Sequence, residues 1–168
     1  NFDNVITQVI NLDDTFNAFY KTIKEFNSEL AFANSRSRIR MVTLYQIAQT
    51  SLGLVVGTGN KVEDFGVGFY TKYGDGGVDI SPIADCTKTQ VWEMGTTLSI
   101  KEDIINAKPT DGLWDDNRND EEQMSLTYQQ IEEAMKNTTS EHYNKYLEIR
   151  ETNLHKMKSI PICKFKES

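Results

Sequence analysis

The order of residue patterns predicts an α/β domain in three layers, α/β/α, with a parallel sheet in the middle. Three observations carry that expectation. Two β-branched or apolar runs of strand length, residues 5–12 and 54–58, are separated by two helix-patterned segments. The runs are continuously apolar rather than alternating, as strands covered on both faces are. The second run passes directly into a glycine-rich turn, where open α/β sheets bind their ligands.

The first run, Val5-Ile6-Thr7-Gln8-Val9-Ile10-Asn11-Leu12, is expected to be the opening strand. Asp13 or Asp14 then caps a helix whose apolar positions Phe16, Phe19, Tyr20, Ile23 and Phe26 recur at intervals of three and four. Asn34 is expected to cap a second helix, with Ile39, Val42, Tyr45, Ile47 and Ala48 on its apolar side and Leu52-Gly53 at its end. Leu54-Val55-Val56-Gly57-Thr58 is the second strand. Further along, 88–98 is expected to be helical, and Thr127-Tyr128-Gln129-Gln130 is a capping box that opens a helix to about Lys136. A longer helix follows to Met157, with Tyr143, Tyr146, Leu147, Leu154 and Met157 on one face. Residues 111–125 are rich in Asp and Glu, and the stretch is expected to be a mobile acidic loop. Two strands are too few for a stable parallel sheet, which has about four to six. Further strands are therefore expected before Asn1.

Composition bounds the function. The 168 residues are 38% apolar and 26% charged, as in one ordinary globular domain. Eighteen Lys plus Arg stand against 25 Asp plus Glu, a net charge of -7, which opposes nucleic acid and anionic lipid. No apolar run reaches membrane-spanning length, and the first residues lack a secretory pattern. Cys86 and Cys163 are far apart and imply neither a zinc site nor a disulfide framework. The expected location is the cytoplasm, with no nucleic-acid and no membrane partner.

The densest chemical signal is Gly57-Thr58-Gly59-Asn60-Lys61-Val62-Glu63-Asp64, followed by Tyr70-Thr71-Lys72-Tyr73-Gly74-Asp75-Gly76-Gly77-Val78-Asp79. Backbone N–H groups in such a turn can approach phosphate, although neither a dinucleotide fingerprint nor a Walker loop is present. Lys72 and Lys88 supply cations for phosphates, while Glu63, Asp75 and Asp79 supply carboxylates for Mg2+ or ribose hydroxyls. On these residues alone a plain turn carrying solvated charges explains the pattern as well. Arg36, Arg38 and Arg40 alternate on a helix and could simply neutralise acidic neighbours. His155 and Lys156 near a helix end complement its dipole, as Glu63 does at a helix start. Trp92 is read as core rather than as a base-stacking platform.

Taken together, ordered blocks across roughly residues 30–160 resemble the synthetase part of the NAD synthetase family. They are Ser35-Arg36-Ser37-Arg38-Ile39-Arg40-Met41, the Gly57–Glu63 turn, Thr71-Lys72-Tyr73-Gly74-Asp75-Gly76-Gly77, Pro82-Ile83-Ala84-Asp85 with Thr87-Lys88, Pro109-Thr110-Asp111-Gly112-Leu113-Trp114-Asp115, Asp120-Glu121 and His155-Lys156. The resemblance implies an ATP pyrophosphatase with an adenine-nucleotide alpha-hydrolase-like fold. It implies adenylation of deamido-NAD by ATP, then displacement of AMP by ammonia, free or drawn from glutamine. It places Thr58, Lys88 and Thr110 on ATP, Glu63 on Mg2+, and Arg38, Lys72, Asp79, His155 and Lys156 on deamido-NAD, in a homodimer. The family's SGGxDS motif is absent from the 168 residues, so the chain is expected to be the carboxyl-terminal two thirds of one domain. The segment from Glu63 to Lys72 is one residue longer than in the commonest bacterial pattern. Two alternatives stand beside this reading: a noncatalytic fragment that dimerises and binds nucleotide weakly, or another ATP pyrophosphatase such as the synthetases of GMP or asparagine.

Overall fold

The computed structural model describes residues 3–116 and 118–165. The residues 1–2 of the opening and Asn117 of the acidic segment lie outside the described residues.

Helix α1 spans Asp13–Ile23, and both of its opening aspartates lie in the first turn rather than at the cap. Leu12 holds the cap position, and the Asn11 side chain instead accepts the Asp13 N–H at 2.7 Å. Asp13 and Asp14 thus favour the helix through its dipole, not through a capping bond. Helix α2 spans Glu29–Thr50 and starts well before the expected Asn34. Ser28 is its cap, accepting the Ala31 N–H, because starting there buries Phe32 and Ala33 against α1. Phe32 packs on Phe16 and Tyr20, with ring centroids 6.3 and 4.7 Å away. Asn34 lies within α2, where its side chain accepts the Thr71 hydroxyl at 2.6 Å.

The two expected strands differ from expectation in the same way. Residues 5–12 carry no strand, and Ile6 and Val9 are 95% and 91% exposed. The run 54–58 forms a single parallel bridge, Val56 with Ile80, in which Gly57 N–H reaches the Ile80 carbonyl at 2.7 Å. A strand exists only through its ladder partners, and the described residues include no neighbouring strand for 5–12. The bridge is parallel as expected, while a parallel sheet is not present among the described residues.

The core forms where three helical pieces meet. A π-helical turn, Lys61–Val67, packs against the later helices α6 (Tyr128–Lys136) and α7 (Tyr143–Met157). Between the turn and α6 lie three further helices, α3 (Lys88–Thr97), α4 (Glu102–Ile105) and α5 (Asp120–Met124). Val62, Val67, Tyr128 and Ile131 are completely buried, and Met124, Leu126, Ala134 and Tyr146 close the cluster. Trp92 of α3 packs edge-on to Tyr128, consistent with a core tryptophan.

Capping fixes where these pieces begin. Thr127 and Gln130 form the expected capping box at α6, and Thr87 with Gln90 forms another at α3. A third, Asn119 with Glu122, opens α5, so the end of the expected acidic loop is helical. The π turn is capped by buried Asn60, whose side chain accepts the N–H groups of Val62 and Glu63 at 3.0 and 3.1 Å. It ends at Gly68, whose φ of +66° is one that L side chains rarely adopt. Arg150 of α7 donates to the Phe65 and Gly66 carbonyls of this turn, satisfying groups that the wide winding leaves open.

Candidate active site

The turn after residues 54–58 and the start of α3 face one another across a cleft of about 320 Å3. Thr58, Glu63, Lys88 and Thr110 all line it, together with Gly59, Asp64, Asp75, Asp111 and Asp120. A Cβ at Gly59 would overlap the Asp64 carboxylate, so a larger residue there requires that side chain to move. Glu63 enters from the first turn of the π element, held by the Asn60 cap. Lys88 is the first residue of α3, whose start is fixed by Glu132 of α6. The Glu132 carboxylate accepts the Thr89 N–H at 3.0 Å and its hydroxyl at 2.7 Å.

Lys88 Nζ lies 3.0 Å from Glu63 Oε1, with the two side chains 17% and 15% exposed. Tyr128, from the opposite side of the core, places its hydroxyl 2.6 Å from the same Oε1 and 3.1 Å from Asp120 Oδ2. A phenol has one proton to donate. Burial first, and then the Glu63 carboxylate, push the Tyr128 phenol upward, so that proton stays in place. The shorter contact to Glu63 takes it. Asp120 Oδ2 is the second acceptor within the hydroxyl's reach, and burial lifts that carboxyl to about 6. Asp120 Oδ1 is buried without a partner. The Lys88 ammonium also sits 4.8 Å from the Tyr128 ring centre. Both bonds to Glu63 fall on Oε1, and Oε2 accepts none among the described residues.

Asp64 is lifted to about 6 by burial, with Glu63 and Asp75 adding repulsion. Relative to an ordinary 3.8, the folded chain then holds more protons than the unfolded chain between about pH 4 and 6. Stability from this group falls as pH rises through that window and stays lowered above it. Asp64→Asn is expected to raise the melting temperature at pH 7 and to leave it nearly unchanged at pH 4. Thermal denaturation at both pH values checks this; an equal gain at both would remove the Asp64 charge as the cause.

A second group lies at the end of α7. Arg38 Nε donates to the Lys72 carbonyl at 3.2 Å, and Lys72 Nζ to the His155 carbonyl at 3.2 Å. Lys156 Nζ donates to the carbonyls of Gly68 and Tyr70 at 2.9 and 2.8 Å, while the Tyr70 hydroxyl returns a bond to the Lys156 carbonyl at 2.6 Å. Burial lowers the Lys156 ammonium, with Asp75 opposing and Arg38 assisting. Asp79 stands apart from this group. Its carboxylate accepts the Val55 N–H at 2.8 Å and the Tyr45 hydroxyl at 3.2 Å, which ties it to the bridge segment. Asp75 accepts from Ser37 and from the Thr71 N–H, and with Gly59 and Asp64 it lines both the first cleft and a neighbouring hollow of about 220 Å3.

Among the described residues no cluster of three or more His, Cys, Asp or Glu could hold a metal alone. Glu63 Oε2, without a partner among the described residues and on a cleft also lined by Asp64 and Asp120, does fit Mg2+, which takes one or two carboxylates together with substrate phosphates. Sequence reasoning missed Tyr128 and its contacts with Glu63 and Asp120. The capping box locates Tyr128 in a first helical turn, but no local signal reports a contact 65 residues away.

A family model described as NAD synthase matches residues 3–168. The chain belongs to the NAD synthase family. An NH(3)-dependent NAD(+) synthetase of Carboxydothermus hydrogenoformans is 43% identical over 128 residues, covering 74% of this chain and 52% of the relative. That of Archaeoglobus fulgidus is 36% identical over 166 residues, covering 95% and 66%. Among solved structures, an NMN synthetase from Francisella tularensis superposes with a TM-score of 0.88 at 30% identity, over 96% of this chain and 68% of that one. The chain spans about half the length of several curated family members that it matches. Its fold is that of this family of synthetases, which bears out the family resemblance and the coarse fold class.

Proposed function

We propose that the protein is the synthetase part of a ligase that amidates deamido-NAD to NAD with ATP and ammonia. The observation that carries this reading is the convergence of Thr58, Glu63, Lys88 and Thr110 on one cleft from separate segments of the chain. A carboxylate is a poor electrophile until one oxygen becomes part of a good leaving group. The nicotinate oxygen attacks the α-phosphorus of ATP, the bond to the bridging oxygen breaks, and pyrophosphate leaves. Ammonia then adds to the acyl carbon, AMP departs with the carbon–oxygen bond pair, and a proton is lost as the amide forms. In this reading Lys88 offsets charge on the phosphate oxygens, and Thr58 and Thr110 orient the nucleotide. A Mg2+ held by Glu63 would supply further charge neutralisation on the phosphates. Arg38, Lys72, His155 and Lys156 form the deamido-NAD side, and Asp79 reaches that substrate from the bridge segment.

The same reading places the Val56–Ile80 bridge in a parallel sheet. It makes the protein a cytoplasmic homodimer. The exposed Leu30, Val42 and Leu44 of α2 support an apolar contact between copies.

Incubation with ATP, deamido-NAD, ammonium and Mg2+ should yield NAD, AMP and pyrophosphate in equal amounts. Formation of ADP and phosphate instead would overturn the adenylate route. Glu63→Gln should need roughly tenfold more Mg2+ for half-maximal rate, because hard Mg2+ prefers a carboxylate oxygen. An unchanged Mg2+ titration with a lowered melting temperature would return Glu63 to a helix-start role. The name of the Francisella tularensis protein, an NMN synthetase, favours a second reading in which the acid amidated is a mononucleotide. A higher kcat/KM for the mononucleotide than for deamido-NAD would establish it.

A further inference from the structure

The three arginines of α2 point in two directions. Residues four apart share a helix face, and the one midway lies roughly opposite. Arg38 accordingly turns to the Lys72 carbonyl, while Arg36 and Arg40 turn to the segment after Thr110. Arg36 Nη1 donates to the Leu113 carbonyl at 2.6 Å, and its Nη2 lies 3.3 Å from the Asp115 carboxylate. Arg40 spans two carbonyls, with Nη1 3.1 Å from that of Asp111 and Nη2 2.8 Å from that of Gly112.

Two forks thus take the carbonyls of three consecutive residues in a segment that has no helix or strand of its own. The segment is otherwise held by the Gly112 N–H to Thr110 Oγ1, the Leu113 N–H to Asp111 Oδ1 and, from α5, the Gln123 amide to Asp111 Oδ2 at 3.2 Å. Leu113 is buried beneath it. Thr110 and Asp111 meanwhile line the same cleft as Thr58 and Lys88.

We propose that Arg36 and Arg40 are positioning residues that clamp the backbone of 111–113 onto α2 and so fix Thr110 and Asp111 at the nucleotide side of the cleft. This inference rests on the assignment of that cleft to ATP. A role in neutralising the acidic segment would need only a positive charge at each position. The clamp needs the fork's geometry, because Arg40 reaches the Asp111 and Gly112 carbonyls from two separate nitrogens in one plane, where an ammonium has a single nitrogen on a shorter stem.

Amide hydrogen exchange on the protein, alone and with ATP and Mg2+, separates these roles in the parent, Arg40→Lys and Arg40→Ala. Both variants are expected to speed exchange at Gly112 and Leu113 by about tenfold and to leave the α6 amides unchanged. ATP should slow these two amides in the parent and much less in either variant. Arg40→Lys indistinguishable from the parent would overturn the clamp, because charge alone would then suffice. Unchanged exchange in Arg40→Ala would overturn it as well. A parent loop indifferent to ATP would instead overturn the nucleotide reading, and with it the positioning role.

Discussion

Lys88→Ala is expected to lower turnover by roughly a hundredfold or more, the usual cost of removing a charge aimed at developing phosphate charge. The structure adds a second effect to that loss. Lys88 is the cationic partner of a mostly buried Glu63, so its removal leaves a carboxylate whose remaining partner is the Tyr128 hydroxyl. The variant should therefore melt lower than the parent as well as turn over more slowly. Combining Lys88→Ala with Glu63→Gln separates the two effects. Neutralising the stranded carboxylate should recover the melting temperature, while turnover stays low. Recovery of both would show that Lys88 serves Glu63 alone and does no work on phosphate. Steady-state rates and melting curves of the three variants decide the matter.

Ile131→Ala is expected to cost about 2–5 kcal/mol of folding stability, the range for emptying a fully buried aliphatic site. Ile131 has no exposed surface and lies in the cluster of Val62, Val67, Met124 and Tyr128. Two of these neighbours are in the π turn that carries Glu63, and a third is the tyrosine that bonds it. The cavity would therefore open beneath the Glu63 carboxylate rather than at the far side of the molecule. At this chain length each kcal/mol moves the melting temperature by roughly 2–4 °C, so a fall on the order of 10 °C is anticipated. Ile131→Val, which removes one methylene, should lose about 0.5–1.5 kcal/mol. Equal losses in the two variants would mean that the site collapses freely and that the cluster does not define the core.

What was legible in the sequence was local. The capping box at Thr127 and Gln130 joins residues three apart, and the structure has it there. The apolar face of α7 was readable from its spacing for the same reason, with Tyr146 buried and Tyr143 and Leu147 packed beside it. The start of α2 was missed because Ser28 and Asn34 are both competent caps, and burial of Phe32 and Ala33 against α1 decides between them. Strands were misjudged because their existence depends on partners remote in sequence. Val5–Leu12 has strand composition, yet no ladder among the described residues. The candidate residues of the cleft were nameable through the family resemblance, since no periodicity in the chain links Thr58 to Thr110. The bond from Tyr128 to Glu63 and the arginine contacts to 111–113 needed the tertiary structure.

The winding of residues 61–67 has a consequence for angular phase. In an ordinary α-helix five residues advance the direction of a side chain by about 500°, leaving positions 62 and 67 about 140° apart. In a π-helix, whose bonds run between residues five apart, the same two positions come back close to one bearing. Val62 and Val67 are indeed both fully enclosed. Glu63 is then free to look the other way, into the cleft, without drawing either valine out. One added residue therefore works as a rotational offset that keeps Val62 and Val67 on one hydrophobic bearing while Glu63 takes a polar one.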